Sequence, residues 1–81
     1  MFNKKIIDKH ISVNPEIQHG KPCIKGGRIP VHVILEALAT GMNLEQVKNE
    51  FSPITIEDIN ACMLYAAFLA DEQELVIQPA V

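Results

Sequence analysis

The spacing of apolar residues changes character at Pro30. Before it the pattern is that of strand and turn. Lys5–Val13 is rich in β-branched residues and predicts one strand, which Asn14-Pro15 ends. Glu16–Gly20 reads as a connector closing on glycine. Two short runs then flank Gly26-Gly27, a pair that tolerates the positive φ of a tight hairpin turn. Pro22 and Pro30 lack the N–H that a ladder needs, so the strands here are short and lie at edges or ends.

From Pro30 onward the period is helical. Val31, Ile34, Leu35 and Leu38 make one apolar stripe at i, i+3, i+4 and i+7. Pro30 suits the first turn of this helix and Gly41 is placed to end it in the left-handed conformation. Asn43 with Gln46 forms a capping box for a second helix, whose stripe is Leu44, Val47 and Phe51. Ser52-Pro53 stops it. Thr55 caps a third helix over about Ile56–Gln73, with Glu57 and Asp58 against the positive end of its dipole. The break between the second and third helices, Phe51–Ile54, has the length of a helix-turn-helix turn. Leu75-Val76-Ile77 is a β-prone tail before Pro79. The predicted fold is α+β, mostly α. An N-terminal strand and β-hairpin element spans 1–30, a three-helix helix-turn-helix domain 31–74, and a C-terminal tail 75–81.

Composition narrows the classes of function. The chain has 81 residues, 48% hydrophobic and 21% charged, which describes one small folded domain. Such a chain buries only about 60% of its unfolded surface, so oligomerisation is an expected source of stability. Cys23 and Cys62 are too few for a disulfide framework and are expected to be reduced. The start, Met1–Asp8, has no apolar run of a secretory signal, and the longest apolar run, Ala61–Ala70, is too short to span a bilayer. A cytoplasmic protein is expected. The net charge of −3 is unevenly placed: residues 1–32 carry +4 and residues 33–81 carry −7. That split predicts two surfaces with different partners.

A set of short motifs in order carries a resemblance. Pro15-Glu16-Ile17, Gly20-Lys21-Pro22, Ile24–Val31, Gly41, Ser52-Pro53, Thr55–Ile59 and Tyr65-Ala66-Ala67 resemble domain-of-unknown-function family 433 over about residues 11–70. Gly27 departs from the family pattern, which usually has threonine there. The resemblance implies a helix-turn-helix domain behind a small β-element. It further implies an antitoxin of VapB type, paired with a PIN-like ribonuclease toxin.

The candidate chemistry is that of binding. His10, His19 and His32 assemble no recognisable catalytic set, and Glu57-Asp58 and Asp71-Glu72 are adjacent pairs that do not face each other on a helix. His19 and Cys23 lack the paired spacing of structural zinc. Neither an enzyme nor a metal or other cofactor is expected, and no small-molecule substrate. For DNA the candidates are Lys21, Lys25 and Arg28 on the hairpin, with Thr55 and Asn60 at the start of the third helix. Glu57 and Asp58 would repel phosphates there, so the hairpin is the stronger candidate. For protein, Ala61–Ala70 is apolar around the whole helix and needs cover on every side. Met63, Leu64, Tyr65, Ala67, Phe68 and Leu69 are the expected dimer or partner interface. The expected function is a non-enzymatic, antitoxin-like regulator. It forms a homodimer and binds a toxin and its own operator DNA. The alternative is a protein-interaction module that binds no DNA.

Overall fold

The computed structural model describes residues 4–26 and 29–72. Among them are four α-helices, α1 (Lys4–His10), α2 (Val31–Ala39), α3 (Leu44–Glu50) and α4 (Ile56–Glu72). They also include an antiparallel pair of two-residue strands, β1 (Ile11–Ser12) and β2 (Cys23–Ile24). The fold is α+β and mostly α. The β-prone tail predicted at Leu75–Ile77 lies outside the described residues.

The strand expected over Lys5–Val13 is mostly a helix. Residues 4–10 form α1, and only Ile11–Ser12 is extended. The cause is packing. Ile7 and Ile11 are four apart and both buried, while Lys4, Lys5, Asp8 and Lys9 face outward. Ile7 on α1 and Ile11 at the start of β1 are both buried where these two elements pack along α4. Tertiary burial overrides the β preference of Ile6-Ile7, and Ile6 is left exposed.

β2 is central in the small β-element. It pairs with β1 in the register Ile11↔Ile24 and Ser12↔Cys23, and Cys23 bridges Pro30 on its other side. The expected hairpin is present. The Ile24 N–H donates to the Ile29 carbonyl at 2.8 Å, the Val31 N–H donates to the Pro22 carbonyl at 2.9 Å, and Gly26 takes a φ of +81°. Between β1 and β2 the chain reverses through Gln18, His19 and Gly20, all left-handed, with φ of 52°, 56° and 82°. Only Gly20 adopts that conformation without steric cost.

The helix ends follow their local sequence. Pro30 occupies the cap position just before α2. At the other end Gly41 has a φ of +107°, its N–H donates to Leu38, and the Met42 N–H donates to Ala37. These two bonds satisfy carbonyls that a helix end leaves open. Asn43 and Gln46 form the capping box of α3, each backbone N–H bound to the other's side chain, at 2.8 and 2.9 Å. Val47 of the predicted α3 stripe is fully buried and Phe51 packs on the core, but Leu44 is exposed.

One core joins the β-element to the helices. Ile7, Ile11 and Ile24 cluster with Val31, Ile34, Val47, Ile54, Ile59, Ala61 and Cys62. α4 is the centre of this arrangement, because α1, α2, α3 and β1 all pack on it.

Candidate functional site

α4 is long enough to have sides, and they differ. Its first half is enclosed: Ile59, Ala61 and Cys62 are fully buried. In its second half the six predicted interface residues separate into three sets. Leu64 and Phe68 pack against the core. Met63 and Ala67 are exposed, and Ala70 continues their stripe at i, i+4 and i+7. Tyr65, which also packs against the core, and Leu69 lie on a third side, where they line a groove with Ala66.

The groove has a volume of about 500 Å³ and is mostly apolar. Val31 and Leu35 of α2 form its opposite wall, and Lys21-Pro22 of the loop before β2 closes one edge. His32 also lines it, with its Nδ1 2.9 Å from the Glu36 carboxylate. No carboxylate lines the groove among the described residues.

The hairpin cations are divided by position. Lys21 is exposed at the groove edge, whereas Lys25 is exposed at the hairpin tip. Lys25 also lines a second, open cleft with Pro53, Ile54 and Asp58. Arg28 lies outside the described residues.

The start of α4 is organised by Asp58. The Thr55 N–H donates to Asp58 Oδ2 at 2.9 Å, and the Asp58 N–H donates to the Thr55 hydroxyl oxygen at 3.1 Å. Asp58 Oδ1 is 2.8 Å from His10 Nδ1, and the pair is largely shielded from water. The His10 carbonyl in turn accepts the Lys25 N–H at 2.9 Å. This residue therefore ties α1, the hairpin and α4 together. Burial pushes the Asp58 carboxyl upward. The Thr55 N–H, the His10 side chain, the Thr55 hydroxyl and the charge of His10 outweigh it, and hold the group below its ordinary 3.8. Thr55 is thus engaged as a cap, while Glu57 and Asn60 are exposed on the first turns of α4.

Both cysteines are free and buried. Cys23 Sγ donates to the Lys21 carbonyl at 3.3 Å. The Cys62 thiol is pushed up to about 12, first by burial and then by the negative charge of Asp58. Thiolate is the reactive form, so iodoacetamide at about pH 8 should label Cys62 only when the protein opens. Mass spectrometry with and without urea checks this, and rapid labelling of the native protein would contradict it. His19 is exposed while Cys23 is buried. No group of three or more His, Cys, Asp or Glu residues able to hold a metal occurs among the described residues. No helix among them is long and apolar enough to cross a membrane.

The fold and this site define a small domain of four α-helices among the described residues, with a two-stranded β-element between the first and second and open apolar surface on the longest. The chain belongs to the family described as "Protein of unknown function (DUF433)", whose profile matches residues 11–66. No curated protein and no solved structure matches it.

Proposed function

We propose that the chain is a non-enzymatic, antitoxin-like regulator of the cytoplasm. It pairs with a second copy and holds a PIN-like ribonuclease toxin through α4, while its hairpin cations contact its own operator. The observation that carries this reading is the stripe Met63, Ala67 and Ala70, which is exposed on the same helix whose Ile59, Ala61 and Cys62 are fully buried. Met63 is 39% exposed, and the two alanines beside it let a second helix approach closely. The toxin's identity rests on the family resemblance alone. The alternative, an interaction module without DNA, draws support from exposed Glu57 at the start of α4, where a recognition helix would meet phosphate.

Sedimentation at micromolar concentration tests the pairing. The parent should be a dimer. Met63→Glu combined with Ala67→Glu should weaken it by roughly 100-fold, because carboxylates would be desolvated in the interface. A folded parent that stays monomeric would end the dimer reading. Co-expression with the neighbouring reading frame tests the partner: a ribonuclease that co-purifies and is inhibited supports it, and an active, unbound ribonuclease removes it.

A further inference from the structure

The groove between α2 and α4 calls for an occupant that is apolar along its length and acidic at one point. Its walls are Val31, Leu35, Tyr65 and Leu69, and among the described residues its one full cation is Lys21 at the edge. His32 already has Glu36 beside it. Among the described residues no carboxylate pairs with the Lys21 ammonium. Apolar walls with a single convergent charge are the usual composition of a binding groove.

The sequence following α4 has this composition. Glu74 is followed by Leu75-Val76-Ile77, three apolar residues in a row, two of them β-branched and suited to an extended segment against a groove. We propose that the groove is the docking site of the chain's own segment 74–77. Leu75, Val76 and Ile77 supply its apolar contacts, and the Glu74 carboxylate meets the Lys21 ammonium.

Reach favours this occupant. α4 ends at Glu72, and Leu69 at the near end of the groove is within its last turn. Tyr65 lies about 10 Å back along the helix from Glu72 at 1.5 Å per residue. Three to five residues of extended chain cover about 10–18 Å, which takes Leu75–Ile77 to Leu69 and Tyr65. A segment tethered at the groove's own edge docks at high effective concentration, so modest contacts suffice. One consequence is that the groove side of α4 is taken by the chain itself. Incoming proteins are then left with the Met63, Ala67 and Ala70 side. The assignment stands apart from the antitoxin reading, since it concerns contacts within one chain.

Tyr65 offers a direct readout. It is the chain's single tyrosine and there is no tryptophan, so the intrinsic emission reports on the groove. Acrylamide quenching of the full chain should show Tyr65 protected, to the same degree over about a hundredfold dilution. The triple variant Leu75→Ser, Val76→Ser and Ile77→Ser should lower the docked-to-open ratio by about tenfold per side chain and raise quenching accordingly. Lys21→Glu should also raise quenching, and adding Glu74→Lys to it should restore protection. Far-UV circular dichroism shows that each variant keeps its helices. Quenching unchanged in the triple variant overturns the proposal. So does protection that fades on dilution, which would put a second copy in the groove. A charge swap that fails to restore protection overturns the pairing of Glu74 with Lys21, and with it the assigned register. The separation from function is clean, because loss of dimer in the Met63 and Ala67 variants is read by sedimentation and not by quenching.

Discussion

Asp58→Ala should lower the thermal midpoint by roughly 10–20 °C, the shift that a loss of about 2–3 kcal/mol produces in a domain of this size. Two losses combine. The Thr55 N–H loses its acceptor, Asp58 Oδ2, at about 1 kcal/mol, while the Thr55 hydroxyl keeps its bond from the backbone N–H of residue 58. A hydrogen bond to a charged group is worth about 1.5–3 kcal/mol, and the His10–Asp58 contact is such a bond in a largely shielded place. Asp58→Asn keeps an oxygen for the Thr55 N–H and should lose about half as much. His10→Ala leaves the cap intact, so the double variant with Asp58→Ala should fall short of the sum of the singles by about 1 kcal/mol. Chemical denaturation at neutral pH checks the set, and additive effects would show that the two side chains are not coupled.

The same carboxylate gives a pH dependence of defined sign. Its folded-state pKa is depressed below the ordinary 3.8. The stabilisation is therefore complete above the unfolded value and is lost as pH falls from there through the folded value. Parent and Asp58→Ala should differ most above about pH 5 and converge in strong acid. A difference that persists undiminished at low pH would assign the effect to packing instead of charge.

What the sequence made legible was local. The ends of α2, α3 and α4 follow from Pro30, Gly41, Asn43 with Gln46, and Thr55, because a cap is a contact between residues three or four apart. α1 was not legible for a physical reason. In a run of only seven residues, Ile6-Ile7 fits a strand, and the spacing of Ile7 to Ile11 becomes decisive only once α4 is there to bury both. The His10–Asp58 contact joins residues 48 positions apart, and no local signal marks it. The cap role of Asp58 could be read, but not its second partner.

The candidate interface shows the same limit. Apolar residues all around α4 announced that the helix is covered on several sides, but not by what. Folding packs Leu64, Tyr65 and Phe68 on the core, lines the groove with Tyr65 and Leu69, and leaves Met63 with Ala67 outside. The hairpin cations divide likewise, since Lys21 lies ahead of β2 and lines the groove with α2 and α4, while Lys25 adjoins Gly26 at the tip. Charge pattern alone could not separate a groove-edge lysine from a tip lysine.

If the chain binds its operator as proposed, affinity should fall by roughly 100-fold between 50 and 200 mM salt, with Lys25 and Arg28 as the cause. Lys25 and Arg28 are two cations per protomer, hence four in a dimer. At about −0.9 per phosphate neutralised, log affinity against log salt should have a slope near −3.6. Lys25→Ala removes two of the four and should flatten the slope by about two units. Arg28→Ala should flatten it equally, and would relax sequence preference as well if its guanidinium forms a bidentate contact to guanine. Lys21→Ala should leave the slope unchanged, because this lysine faces the groove and is assigned to Glu74. Glu57→Ala should not weaken binding, since an exposed carboxylate at the start of α4 repels the backbone. The measurement is a salt titration of fluorescence anisotropy on the promoter DNA of the protein's own gene, for the parent and each variant. If Lys25→Ala and Arg28→Ala leave the slope intact while Asn60→Ala abolishes binding, α4 enters the groove of the DNA in the ordinary way. If the parent itself fails to bind at low salt, the chain is an interaction module and the cations of the hairpin serve only to keep its edge from pairing with other chains.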